Sequence, residues 1–500
     1  MAVVAALSMG PICIGSLGAI DLARATSAKA QLQDALDAAA LGAARTNSVT
    51  NSDLQAAGAR FLSQNLSLGT DFRLAASSFS FGDGGKVEAS ARLEVTPFVA
   101  GLLTGGGPMV VQASSEVVRA SDKVEVALVL DNTGSMGDGT KLSDLKAAAT
   151  NFVTQMEDAS KKAVEADSVK IGLVPFSNTV RLDPTYATAA WMDPSGSSPI
   201  NDEIFTTASG TQHANRYTLF ANLGTTWRGC VEMRRAPYDV QDDTPTTGPT
   251  LYTPYFAVDE PDKKSTGYGQ DYQNDYQKDD LSGTNWRVLQ GSVTKYNKTH
   301  NASLTTSFGP NAGCGLNTTL MRLTTDFSSL RTAIATMNAS GNTNIPIGMA
   351  WGWNVISPNG PFKDAVAYGT PKYKKIVVLM TDGENTMDQR DTPNNGTYAG
   401  TGYIWQGRVL KPDGTPLTTG ASDAERTGAL DGRLTKICNN LKAKDVEIYA
   451  IGVGVTSSSA ALLQGCATAK DYYYDVSDST TLSAVFQSIA GQIAALHLSR

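Results

Sequence analysis

Two short tracts carry residue types able to hold a cation. Asp131-Asn132-Thr133-Gly134-Ser135-Met136 and Thr381-Asp382-Gly383-Glu384 each follow directly on an apolar run, Val124–Leu130 (interrupted only by Glu125) and Ile376–Met380. Asp131 and Asp382 bring carboxylates, and Thr133 and Ser135 bring hydroxyls on the loop that carries Asp131. A hard divalent cation takes about six oxygens, which two carboxylates, a few hydroxyls and water can supply. An open coordination position then accepts a carboxylate from another molecule, which is chemistry for metal-bridged adhesion. The bland reading has Asp131 capping backbone amides in a strand-to-helix turn, with Asp382-Gly383 an ordinary turn. Hydrolysis at such a metal needs a general base; Glu384 is the nearby candidate, and nothing in the sequence sets it against a bound water. Binding without turnover is therefore expected.

Positioning both tracts is a task for strands. Val124–Leu130, Val169–Phe176, Ile376–Met380, Val446–Val455 and Tyr472–Val476 read as strands without strict alternation. Between them lie helical patterns: Leu142, Leu145, Ala149, Phe152 and Met156; a helix around Leu434–Leu441; and a final one with Leu482, Phe486, Ile489, Ile493 and Leu496. Apolar strands separated by helices predict an α/β fold with a mainly parallel sheet covered by helices on both faces. In such sheets ligands sit beyond the carboxyl ends of the strands, where Asp131 and Asp382 fall.

This pattern resembles the von Willebrand factor A (VWA) fold and its metal-ion-dependent adhesion site. The family motif runs Asp-x-Ser-x-Ser, then a Thr, then Asp-Gly. Asp131, Thr133 and Ser135 match the first element, with Thr for the first Ser, and Asp382-Gly383 matches the last. Thr343, in Ser340-Gly-Asn-Thr343-Asn344-Ile-Pro346, is the best match to the middle Thr. The resemblance implies a metal site of Asp131, Thr133, Ser135, Thr343 and Asp382 holding Mg2+, or Ca2+ or Mn2+, completed by a protein partner's carboxylate. The Asp-Thr-Gly-Ser signature of aspartic proteases is not met, because residues 131–135 are one residue too long and the β/α setting is wrong for that all-β enzyme.

Two insertions interrupt this domain, at about 183–322 and 385–430. The first is rich in Tyr, Asn, Asp, Thr and Gly with Trp191, Trp227 and Trp286, and reads either as a recognition surface or as a stapled decoration. Its stretch Tyr268–Asp280 has oxygen ligands but not the EF-hand pattern, so a solvated acidic loop is the default. Cys13 lies in an apolar segment; Cys230, Cys314, Cys438 and Cys466 suggest bridges Cys230–Cys314 and Cys438–Cys466 in an oxidising compartment, or buried thiols otherwise. His213, His300 and His497 share no metal-like spacing.

Residues 1–20 contain no charged side chain, and as a helix they match one bilayer core. A transmembrane or signal anchor is expected, with a cleaved signal peptide and a buried helix as rivals; a basic n-region is missing. From Leu22, small and apolar residues recur at three- and four-residue intervals through Ala25, Ala28, Leu32, Leu36, Ala39 and Ala43, predicting an extended juxtamembrane helix over 21–46. Its stripe suits a tightly packed neighbour, in this chain or another. The run Gln31–Leu41 resembles the amino-terminal segment of TadG-type proteins of Flp (tight adherence, Tad) pili, as do Trp351, Trp353 and the Cys466 segment. The basic residues usual before that helix are absent, which suggests a shortened start. Residues 47–120, with the strand Lys86–Thr96 alternating at Val87, Ala89, Ala91, Leu93 and Val95, read as a small α+β stalk, and 121–500 as the A-type domain.

With 500 residues, several domains are expected. A net charge of −7 without a basic block argues against nucleic acid as a partner, and no small-molecule substrate is indicated. The resemblances together imply a single-pass bacterial inner-membrane protein with its bulk in the periplasm; the cell surface is the alternative location. It would serve Tad pilus assembly or adherence through metal-dependent binding of pilin-like or other Tad proteins. A surface-displayed adhesin, or a structural envelope protein with a non-functional metal site, is the alternative.

Overall fold

The computed structural model describes residues 2–46, 48, 50–67, 69–82, 86–98, 107–118, 122–163, 167–207, 210–211, 214–262 and 267–495, without the side chains of 2–17, 162, 206–207 and 210–211. His213, Leu496 and His497 lie outside them. Two compact units emerge: residues 1–123 with 156–168 and 491–500, and residues 124–155 with 169–490.

In the first unit, helix α1 (Ala2–Ala44) and helix α2 (Asn51–Asn65) cover a three-stranded antiparallel sheet of β1 (Phe72–Phe81), β2 (Lys86–Val95) and β3 (Met109–Val118), in the order β1-β2-β3. Alternation along β2 sends Val87, Ala89, Ala91, Leu93 and Val95 into the core while Glu88, Ser90 and Arg92 face outward. The stripe on α1 (Ala28, Leu32, Ala35, Leu36, Ala39, Ala40 and Ala43) is buried in the same core. Small side chains let the helix lie close, so the tightly packed neighbour this stripe called for is the protein's own sheet. Asp21 is buried and accepts the Phe98 amide at 2.8 Å, and the Arg24 guanidinium sits 4.0 Å from the Phe98 ring centre.

These contacts bear on the expected anchor. Among the described residues no helix is long and apolar enough to cross a membrane. The expected transmembrane helix at 1–20, the inner membrane as a partner and the single-pass inner-membrane location are therefore corrected. The physical reason lies in the described part of α1: its apolar residues form one stripe spent on a protein core, with charges beginning at Asp21 and Arg24. The side chains of 2–17 fall outside the described residues.

The second unit is built on an eight-stranded sheet. Its strands are β4 (Lys123–Asp131), β5 (Val169–Phe176), β6 (Val180–Arg181), β7 (Cys230–Val231), β8 (Met321–Thr324), β9 (Tyr373–Thr381), β10 (Val446–Val453) and β11 (Tyr473–Val476). The order is β11-β10-β9-β4-β5-β6-β7, with β8 also pairing with β5. Pairs β4–β5, β9–β10 and β10–β11 are parallel, whereas β5–β6, β6–β7 and β5–β8 are antiparallel. The sheet is thus mixed, correcting the mainly parallel expectation. Only three residues separate β5 from β6, enough for a reversal but not for a parallel crossover, and the first insertion supplies the remaining antiparallel strands.

Helices α3 (Lys141–Lys162), α4 (Phe327–Thr336), α5 (Ile345–Ile356), α6 (Asp423–Lys442), α7 (Ser457–Cys466) and α8 (Leu482–Ile493) accompany the sheet in an α/β arrangement. Helix α5 packs at glycine range: a Cβ on Gly352 would meet Val129 at 2.4 Å, and one on Gly348 would meet Phe176 at 2.5 Å. Trp351 and Trp353 are buried beside them, as packing residues. Disulfides join Cys230 to Cys314 and Cys438 to Cys466.

Close packing also gives a test in the first unit. A Cβ on Gly58 of α2 would lie 2.2 Å from the buried Phe79 ring. Gly58→Ala gains about 1 kcal/mol in helix propensity, yet overpacking of a core typically costs about 1–3 kcal/mol. The expected outcome in a denaturant titration is a less stable first unit; a stabilised variant would show that Phe79 moves aside freely.

Candidate functional site

The ends of the neighbouring strands β4 and β9 bring Asp131 and Asp382 to one place. Asp131 is buried; its Oδ1 accepts the Thr133 amide at 2.8 Å and its Oδ2 accepts the Thr381 hydroxyl at 2.6 Å. The Thr133 and Ser135 hydroxyls lie 3.1 Å apart, and Ser135 Oγ donates to Asp382 Oδ1 at 2.7 Å. Backbone bonds fix this loop: Asn132 donates to Phe176 O, Gly134 to Gly341 O, and Ser340 to Asn132 O, each at 2.8 Å. The last two tie the Asp131 loop to the segment leading into Thr343. Thr343 is buried and exchanges hydrogen bonds with Thr386; its Oγ1 and that of Ser135 lie 3.7 and 3.9 Å from where a Gly383 Cβ would be. Asn344 then caps α5 by accepting the Ile347 amide.

Thus Asp131, Thr133, Ser135 and Asp382 form one hydrogen-bonded chain, with Thr343 beside it. Two participants were missed in the sequence. Thr381 was read only as the residue before Asp382. Lys141, the first residue of α3, places its ammonium 2.7 Å from Asp382 Oδ2 and 3.5 Å from the Ser135 carbonyl. A cation in the first turn of a helix opposes the helix dipole, and that mismatch was the available signal that Lys141 has an anionic partner. Burial, and then the nearby charge of Asp382, push the Asp131 carboxyl up to about 6, against hydrogen bonds from Thr381 and Thr133 that favour the charged form.

By type, this donor set of carboxylates and hydroxyls suits a hard cation. By geometry, each oxygen of both carboxylates already accepts a bond, and a protein ammonium supplies the positive charge. Among the described residues no group of three or more His, Cys, Asp or Glu side chains could hold a metal, the Tyr268–Asp280 stretch included. The expected membrane-anchored, metal-dependent adhesion function is therefore corrected. Glu384 is held elsewhere, its Oε1 accepting the Thr456 hydroxyl at 2.6 Å and the Ser458 hydroxyl at 3.4 Å. The candidate general base is thus engaged by hydroxyls at the start of α7.

Both insertions frame the face around Thr343. A buried network joins them: Glu232 pairs with Arg216 and Arg408, and Arg408 also pairs with Glu203. Arg216 and Glu203 come from the first insertion and Arg408 from the second. Between them opens a cleft of about 270 Å³, lined by Asn178, Glu260, Asn342, Asp388, Arg390 and Tyr398 among others. Asn342 directly precedes Thr343, so the cleft adjoins the strand-end residues. Of the insertion's tyrosines, Tyr252, Tyr255, Tyr276 and Tyr296 are core residues, whereas Tyr268 is exposed.

Residues 1–46 match the family described as "Putative Flp pilus-assembly TadE/G-like". No curated protein matches the chain. Distant similarity to solved pilus proteins extends further. The pilus adhesin SpaC from Lactobacillus rhamnosus GG is 13% identical over 86% of this chain and 36% of its own, with a TM-score of 0.36. The vWF domain of the type V pili tip protein Mfa5 from Porphyromonas gingivalis is 11% identical over 75% and 96% of the two chains, with a TM-score of 0.35. PilB minor pilin from Streptococcus sanguinis is 11% identical over 85% and 79%, with a TM-score of 0.32. This chain thus spans about a third of the SpaC chain.

Lys141 gives the test of the site's electrostatics. Lys141→Met leaves the buried Asp382 carboxylate without its cation. The expected loss is about 1–2 kcal/mol, below the roughly 3–5 kcal/mol of a wholly buried pair because Lys141 is partly exposed. A thermal or denaturant melt measures it; an unchanged midpoint would mean that Asp382 does not rely on Lys141.

Proposed function

We propose that this protein is a TadG-like adhesin-type component of a Flp pilus system, displayed at the cell surface and acting through the strand-end face of its A-like domain. The observation that carries this reading is the convergence of Asp131, Thr133, Ser135, Thr343, Asp382 and Lys141 beside a cleft framed by both insertions. The amino-terminal motif supports the association with pili. A rigid, polar, non-catalytic face of this kind suits recognition of a protein partner, with the cleft taking one of its side chains.

Charge at the face comes from Lys141, so binding proceeds without a metal. The five oxygen-bearing residues accept Mg2+, Ca2+ or Mn2+ only when Lys141 leaves Asp382. Calorimetric titration with each ion is expected to give saturable binding to Lys141→Met and not to the wild type. An Asp131→Ala, Asp382→Ala double variant serves as the control.

Function is tested in the native host. Cells lacking the protein should lose adherence, complemented cells should recover it, and chelator should leave the recovered adherence unchanged. Protease added to intact cells should cleave the protein. Normal adherence without the protein, or full protease protection in intact cells, would overturn the reading. Loss of adherence on chelation alone would overturn the metal-free mode and leave the adhesive role standing.

A further inference from the structure

The first insertion holds a cluster that the strand-end face does not use. Lys295 has a fully buried side chain whose Nζ lies 2.7 Å from Asp259 Oδ2 and 3.5 Å from Asp279 Oδ1. Asp259 is equally buried. Its Oδ1 accepts two backbone amides, Tyr276 at 2.6 Å and Gln277 at 2.7 Å. Its Oδ2 faces the amine and has no other hydrogen-bond partner among the described residues. The rings of Tyr276 and Tyr296, both buried, stand 6.3 Å apart beside the cluster. Lys295 Nζ is further held by the Leu289 carbonyl at 3.1 Å.

We propose that Lys295 and Asp259 are joined by an autocatalytic isopeptide bond formed within the folded insertion. The parts match acyl transfer: a nucleophile fixed against a carboxyl group, two aligned N–H donors on the oxygen that gains charge, and a second carboxylate within reach to move protons. Water is excluded, and burial favours the neutral forms of a carboxyl–amine pair. Burial accordingly pushes the Asp259 carboxyl up to about 7, against the opposing effect of Lys295.

The step balances without a cofactor. A proton passes from the Lys295 ammonium to Asp259, giving a free amine and a carboxylic acid. The Nζ lone pair attacks Cγ, forming the C–N bond, and negative charge collects on Oδ1 under the Tyr276 and Gln277 amides. Asp279 takes a proton from the attacking nitrogen and passes it to Oδ2. The Cγ–Oδ2 bond breaks, one water leaves, and Asp279 is again a carboxylate. Amine and carboxylic acid have become a secondary amide, with no change of oxidation state.

Mass spectrometry of the digested, reduced full chain decides the matter. The expected result is a branched peptide linking the Asp259 and Lys295 segments, lighter by one water than the sum of its two parts. Asp279→Asn keeps both reacting groups and should yield the two peptides unlinked, or linked far more slowly after refolding. Lys295→Arg should yield no branched peptide at all. Separate, full-mass peptides from the wild type would overturn the proposal, and this needs no variant to fold. A branched peptide in Asp279→Asn at the wild-type rate would instead remove Asp279 from the mechanism.

Discussion

Two like charges at the ends of adjacent strands set the terms for the second unit. Asp131 terminates β4 and Asp382 follows β9, and these strands are neighbours in the sheet. Leaving two carboxylates unpaired in a buried position is prohibitive. The chain answers with hydroxyls from Thr381 and Ser135, the Thr133 amide, and the Lys141 ammonium. Those partners fix the Asp131 loop and the start of α3. Cross-loop backbone bonds then bring in residues 340 and 341, which lead to Thr343 and α5. The electrostatic problem and the shape of the face are thus one arrangement.

Much of this was legible because strand ends and hydroxyl spacing are local features. Asp131, Thr133, Ser135, Thr343 and Asp382 come from loops far apart in sequence and still meet, since each follows or precedes an element whose apolar pattern is plain. Alternation in Lys86–Val95 likewise made β2 readable. Lys141 was not, because a lysine opening a helix looks like a solvated residue until Asp382 is placed beside it. The mixed sheet was hidden too: β6 and β7 are two residues each, too short for periodicity to mark. The amino-terminal segment misled for a different reason. An apolar run suggests lipid by composition, whereas in the described part of α1 the apolar stripe faces the unit's own sheet.

The insertions show how a polar sequence becomes interior. Their charges are paired across long sequence distances, and their aromatic rings pack against one another and against the domain core, as Trp191 does, edge-on or tilted, with Tyr186 and Tyr252 of the insertion and with Trp351 and Phe362 outside it. A buried ion pair rarely adds more stability than an apolar replacement would, but it penalises every arrangement in which a partner is missing. Such pairing therefore selects one geometry for the cleft.

That selection has a temporal side. Glu232 meets Arg216 from nearby in sequence but Arg408 only from 176 residues further on. As the chain emerges during synthesis, the first insertion carries the Glu232 and Glu203 carboxylates long before Arg408 exists to meet them. The cleft between the insertions consequently closes among the last parts of the protein to mature, because contacts of large sequence separation form slowly. A chain truncated before residue 408 would possess Asp131, Ser135, Lys141, Thr343 and Asp382, and yet be a folding intermediate whose cleft has not been made.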